Sequence, residues 1–200
     1  REPHRRGEDD EDPSHQRHAL GGDRGQPPQG NVAVEKRLVV GLASQSGWSL
    51  AHMANIYARL GEGERALECL ELLTRAATGP NLFTYHNDWR GQGLTLHGPN
   101  PPFQIDANFG LTAAVIEMLV FSVPGMVKLL PALPGAWKSG SVKGLRARGG
   151  VEVDIAWKDG KLTSYELRAT CDGTHTIRLP DGKTKQVTLK AGEKHQGGGA

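Results

Sequence analysis

The stretch Pro101-Pro102-Phe103-Gln104-Ile105-Asp106-Ala107-Asn108-Phe109-Gly110 decides how the rest of the chain is read. It places a single carboxylate among apolar and amide residues, directly ahead of an apolar helical run over 111–121. Pro101 and Pro102 fix φ and disfavour helix in the residue before each, so the approach is extended. Gly110 then permits a sharp change of direction into the helix. Between them Gln104, Asp106 and Asn108 alternate with Phe103, Ile105 and Phe109, as they would along an extended segment with its polar groups on one side. Three hydrogen-bonding side chains then face one space beside a wall of Phe and Ile. Such a cluster suits acid–base work on a polar, uncharged substrate, because the carboxylate polarises a water while the amides hold it or the substrate's hydroxyls. A simpler reading competes: Asp106 or Asn108 merely caps the following helix, and residue types alone favour it.

Upstream of this stretch the pattern is helical. Order is expected from Val32, with Val34, Leu38, Val39 and Leu42 on one helical face. Ser46 or Ser49 caps a second helix whose stripe is Leu50, Met53, Ala54, Ile56, Tyr57 and Leu60. Gly61-Glu62-Gly63 breaks it, and a third helix over 64–74 buries Leu67, Leu70, Leu72 and Leu73, which makes an αα-hairpin. His52 reads as an ordinary core or surface histidine. Residues 79–100 form a long loop carrying Tyr85, His86, Asn87, Asp88, Trp89, Arg90 and His97. Loops of that length are usually functional or disordered. Aromatic faces beside amides and acids suit a sugar, whose C–H face stacks while its hydroxyls take hydrogen bonds; His86, Asn87 and Trp89 are therefore candidate substrate contacts.

Downstream the period changes to two. The helix over 111–121 is apolar almost all round, with Glu117 its exception, and is expected to be deeply buried. Strands follow over 127–130, 144–147, 151–157, 162–167, 175–179 and 186–189, and Asp159-Gly160 and Asp181-Gly182 are strong hairpin signals. The fold class is α+β, a helical part followed by a small antiparallel β module. Its segments are a disordered charged tail over 1–31, a helical part over 32–125, a β domain over 126–191 and a flexible Gly-rich tail over 192–200.

Composition sets outer limits. The chain has 200 residues, of which 37% are apolar, enough for a core. A formal net charge of +2 gives no reason to expect a nucleic-acid or membrane partner, and no apolar run has the length of a membrane span. Cys69 and Cys171 form neither zinc spacing nor a disulfide framework, so the compartment stays open. The opening tail is dense in charge, Gly and Pro, and its His4, His15 and His18 read as solvated polar residues rather than metal ligands. Neither metal nor cofactor is expected. A start at Arg1 instead of Met leads us to expect a piece of something longer.

Several ordered motifs now converge. Gly47-Trp48-Ser49, the hairpin ending at Asn81-Leu82-Phe83, the run from Pro102 to Gly110, Leu129-Leu130-Pro131-Ala132-Leu133-Pro134, and the run from Gly140 to Gly150 together resemble the C-terminal part of glycoside hydrolase family 95. The resemblance covers residues 32–167. It implies the last helices of an (α/α)6 barrel followed by a β-sandwich, in a family of α-L-fucosidases and some α-L-galactosidases that cleave terminal α-1,2-linked fucose with inversion. It also implies that Asp106 helps to activate the water, which reverses the order of the two readings given above. Gln104 and Asn108 would then join the substrate-binding set, a fucosylated glycan would be the partner, and the general-acid Glu and an asparagine pair would lie upstream, in a part of the barrel this chain lacks. His15-Gln16-Arg17-His18-Ala19-Leu20 is a broken echo of the family's His-rich stretch, so a substrate role passes to His18 by resemblance only. A non-catalytic carbohydrate-binding or structural fragment is the alternative. An incomplete barrel should leave Leu50, Ile56, Leu67 and the 111–121 helix with exposed apolar surface.

Overall fold

The computed structural model describes Gly41 and residues 44–198. The charged tail, the first expected helix and His4, His15 and His18 lie outside the described residues. The order of elements is α1 (Gly47–Leu60), α2 (Gly63–Ala77), α3 (Ile105–Leu119), β1 (Val120–Val123), β2 (Met126–Leu129), β3 (Gly140–Ala147), β4 (Val151–Lys158), β5 (Lys161–Ala169), β6 (Gly173–Arg178), β7 (Thr184–Leu189) and β8 (Lys194–Gly198). This is α+β, as the sequence implied.

At the start of α1, Ser49 Oγ accepts the Ser46 N–H at 2.8 Å, the return half of a capping box. The helix ends where Gly61 turns left-handed at φ 83°. Leu50, Met53, Ala54, Tyr57 and Ala58 recur at helical spacing and are fully buried against Ala66, Leu70 and Leu73 of α2. Gly63 lets the start of α2 lie close against the backbone after β2, since a Cβ there would meet the Ala132 carbonyl oxygen at 2.5 Å. Leu50 is therefore core, contrary to the exposure expected of it, and Ile56 and Leu67 are partly buried rather than bare.

α3 begins at Ile105, six residues before the expected start at Leu111. Gly110 is not a hinge. It sits inside the helix, where a Cβ would come within 2.7 Å of Ala51 Cβ, so its small size lets α3 press on α1. The helix is not buried all round either: Ala107, Ala114, Met118 and Leu119 face the core, while Phe109 and Ile116 stand in solvent.

The strands form two four-stranded sheets, ordered β1-β2-β6-β7 and β3-β4-β5-β8. They share one core, in which Val127, Leu129 and Ile177 from the first sheet meet Val153, Ile155 and Leu167 from the second. The module is mixed rather than purely antiparallel, because β2 and β6 run parallel. It also begins earlier than 126, at Val120, and it includes the segment expected to be a loose tail. β8 pairs with β5 from Arg168↔Lys194 to Ser164↔Gly198.

The connection between α2 and α3 has structure of its own. Bridges join Thr78 to Thr84, Tyr85 to Phe103 and Asp88 to His97. Asp88 is fully buried, and its carboxylate accepts the backbone N–H groups of Arg90 at 3.1 Å and Leu94 at 3.4 Å. This acid folds the loop.

Candidate active site

Asp106 is the second residue of α3, where a negative charge is favoured by the helix dipole. Its side chain is exposed and lines a groove of about 420 Å³ between α1 and α3, with Trp48, His52, Asn55, Ile56 and Phe109 among the walls. Neither it nor Asn108 is the helix cap; that position belongs to Gln104.

The groove is held from both ends. At its mouth Gln104 Oε1 accepts the Trp48 N–H at 2.7 Å, tying the starts of the two helices together. Farther along, Asn55 Nδ2 donates to the Ala51 and Gly110 carbonyls, each at 2.8 Å, and so spans the helix contact. Near the helix ends Arg59 forks onto Glu117 with two bonds of 3.0 Å. Hydrogen bonding to that carboxylate raises the Arg59 pKa further above its ordinary value. Glu117 is thus committed to an ion pair.

The expected alternation of Gln104, Asp106 and Asn108 does not occur, because a helix separates residues two apart by nearly half a turn. Gln104 and Asn108 share one side and Asp106 faces another. Asn108 Oδ1 accepts from the Thr84 N–H and hydroxyl, both at 2.9 Å, and its Nδ2 donates to the Leu82 carbonyl at 2.9 Å. Both amides hold protein backbone. His86 Nδ1 bonds to Asn87 Oδ1, so those two side chains face each other. Trp89 donates its indole N–H to the Thr78 carbonyl at 3.0 Å and lies between Tyr85 and the guanidinium of Arg90. None of these residues lines the groove that holds Asp106.

Two residues of that groove were not singled out from the sequence as contacts. Trp48 and His52 stack at 6.4 Å with ring planes 22° apart. Their separation of four residues puts them on one helix face, a signal present in the sequence, but their proximity to Asp106 depends on helix packing. Chemically, a carboxylate beside two flat rings can orient a water against a sugar. Protonating a leaving oxygen takes a second carboxyl, and among the described residues no other carboxylate lines this groove. Among the described residues no three His, Cys, Asp or Glu side chains converge as metal ligands, and no helix is long and apolar enough to cross a membrane.

Comparison with known proteins extends this picture. Residues 23–119 match the glycosyl hydrolase family 95 catalytic domain, and residues 122–198 match the glycoside hydrolase family 95 C-terminal domain. The chain is 42% identical over 141 residues to alpha-L-fucosidase 2 of Arabidopsis thaliana, covering 70% of this chain and 16% of that protein. It is 39% identical over 132 residues to a probable alpha-fucosidase A of Aspergillus oryzae, covering 59% of this chain and 17% of that protein. A probable alpha-fucosidase A of Aspergillus niger is 33% identical over 148 residues, covering 68% and 17% respectively. The chain spans about a sixth of the length of these curated relatives.

Proposed function

The chain belongs to glycoside hydrolase family 95, and from that premise we propose that it is the C-terminal part of the catalytic unit of an inverting α-L-fucosidase. The substrate is a glycan ending in α-1,2-linked fucose. Asp106 takes a proton from a water on one face of the sugar, and that water's oxygen bonds to the anomeric carbon as the glycosidic bond breaks. A carboxylic acid upstream of this chain gives its proton to the leaving oxygen. Inverting enzymes separate their two carboxyls enough to admit the water, which accords with an acid supplied from another part of the fold.

The single observation that carries this reading is the position of Asp106. It is an exposed carboxylate at a helix start, in a groove, serving neither as cap nor as structural anchor. Helices α1 and α3 run side by side in the same direction, joined at their starts by Gln104 and near their ends by Arg59 and Glu117, with α2 returning along α1. That arrangement is compatible with the last helices of an (α/α)6 barrel. Gln104 fixes the start of the groove by holding the Trp48 backbone, and Asn108 holds the loop at Leu82 and Thr84; that loop carries His86, Asn87 and Trp89, the further substrate contacts of this reading. That Asp106 is the only carboxylate lining the groove among the described residues favours a second reading, a carbohydrate-binding or structural fragment.

Hydrolysis of 2′-fucosyllactose by this chain and by an upstream-extended protein separates the two. Fucose release by the extended protein alone supports the fucosidase reading. Release by neither leaves the fragment reading.

A further inference from the structure

A second cleft, of about 220 Å³, lies where the C-terminal end of α1 meets the β module, and it meets the first groove at Arg59. Its walls include Arg59, Lys128 and Arg178, with Gly61, Pro131 and Pro180, and among the described residues no acid lines it. Lys128 and Arg178 are register partners on the parallel strands β2 and β6, so two cations stand directly opposite each other. Like charges in that position oppose strand pairing unless something neutralises them.

The neighbouring charges do not do so. Glu117 is taken up by Nε and Nη2 of Arg59, which leaves Nη1 outside the fork. Asp181, in the β6–β7 turn, is paired with Lys183 at 2.9 Å. The Lys128 ammonium sits 5.1 Å from the centre of the Phe121 ring, a contact that orients it without cancelling its charge. No ion pair joins Arg178 to a carboxylate among the described residues. The last carbonyls of α1 attract cations to this end of the helix, but they supply only a partial charge.

We propose that this cleft binds a doubly charged tetrahedral oxyanion, the sulfate or phosphate group of a ligand, between Arg59, Lys128 and Arg178. Two guanidinium groups and an ammonium, brought to one cleft by a helix end and two strands, can share the oxygens of such a group, and its bound charge relieves the repulsion between Lys128 and Arg178. Arg59 lines both this cleft and the groove of Asp106, whereas Lys128 and Arg178 line this cleft and not that groove; the proposal does not depend on the reaction assigned to Asp106.

The test is thermal unfolding of the 200-residue chain against sodium sulfate, sodium phosphate and sodium chloride at matched ionic strength, repeated with Arg178→Gln and Lys128→Gln. A saturable rise in Tm with sulfate and phosphate, requiring at least tenfold more anion in either variant, is the expected result. Galactose 6-sulfate and glucose 6-phosphate then distinguish the source, the ester that saturates at lower concentration naming it. An equal rise with chloride shows screening alone and overturns the proposal. So does an unchanged sulfate response in Arg178→Gln, a substitution at an exposed side chain.

Discussion

The side chain of Gln104 accepts the backbone N–H of Trp48 at 2.7 Å, so the residue before α3 fastens the first turn of α1. An amide used in this way is a structural link. Gln104→Ala should lower the stability of the chain by about 1 kcal/mol, the usual net worth of one such bond. Asn108→Ala, which removes bonds to Thr84 and Leu82, should cost about 2 kcal/mol. Urea unfolding measures both. Unchanged stability with weakened sugar binding would return the two amides to the substrate.

Gly110 faces Ala51 so closely that a Cβ would stand 2.7 Å from the Ala51 methyl carbon. Gly110→Ala gains helix propensity, worth roughly 1 kcal/mol, but overpacks the α1–α3 contact, at a cost of about 1–3 kcal/mol. Loss should win, because the obstacle is attached to the backbone of a packed helix. Gly110→Ala combined with Ala51→Gly should recover most of the difference in Tm, whereas a stabilised single variant would mean that the helices can part freely.

Acid should loosen the β module by two steps. Burial, followed by the charge of Lys185, lowers the pKa of His195 below its ordinary value. Stability from this group is present above the ordinary imidazole pKa and is lost as pH falls through the lower folded value. Gln196, Lys194 and Arg168 hold Glu166 down to about 2 from 4.5. Its contribution is therefore present above about 4.5 and disappears as pH falls toward 2. Both residues tie β8 to β5, by Leu167↔His195 and Glu166↔Gln196. Amide exchange in β8 should accelerate first, and Glu166→Gln should flatten the lower step; exchange independent of pH-corrected chemistry in this strand would refute both.

The sequence made the β hairpins legible because their turns need special backbone: Asp159 and Gly160 have φ of 51° and 74°, and Gly182 has 86°. β1 was hidden because its residues continue the apolar run of α3. β8 was hidden because Lys194 to Gly198 has no apolar alternation; its pairing is a backbone matter, and Gly197 is required where a Cβ would strike the Tyr165 ring at 2.4–2.6 Å. The place of Asp106 at a helix start was legible from its setting. The roles of Gln104 and Asn108 were not, because Gly110 looked like a break when it is a contact, and that placed them on a strand instead of a helix. Trp48 and His52 come to Asp106 only through the packing of α1 on α3, which no local pattern encodes.

The most direct measurement is fucose release from 2′-fucosyllactose by the upstream-extended protein with Asp106→Asn, alongside urea unfolding of the same variant. An exposed side chain outside the hydrogen-bond network should change stability by no more than about 1 kcal/mol, chiefly through the lost charge at the helix start. On the role proposed for Asp106, the substitution should lower kcat by about 10²–10⁴-fold. Turnover within tenfold of the unsubstituted enzyme would contradict the assignment of Asp106 as the water-activating carboxylate.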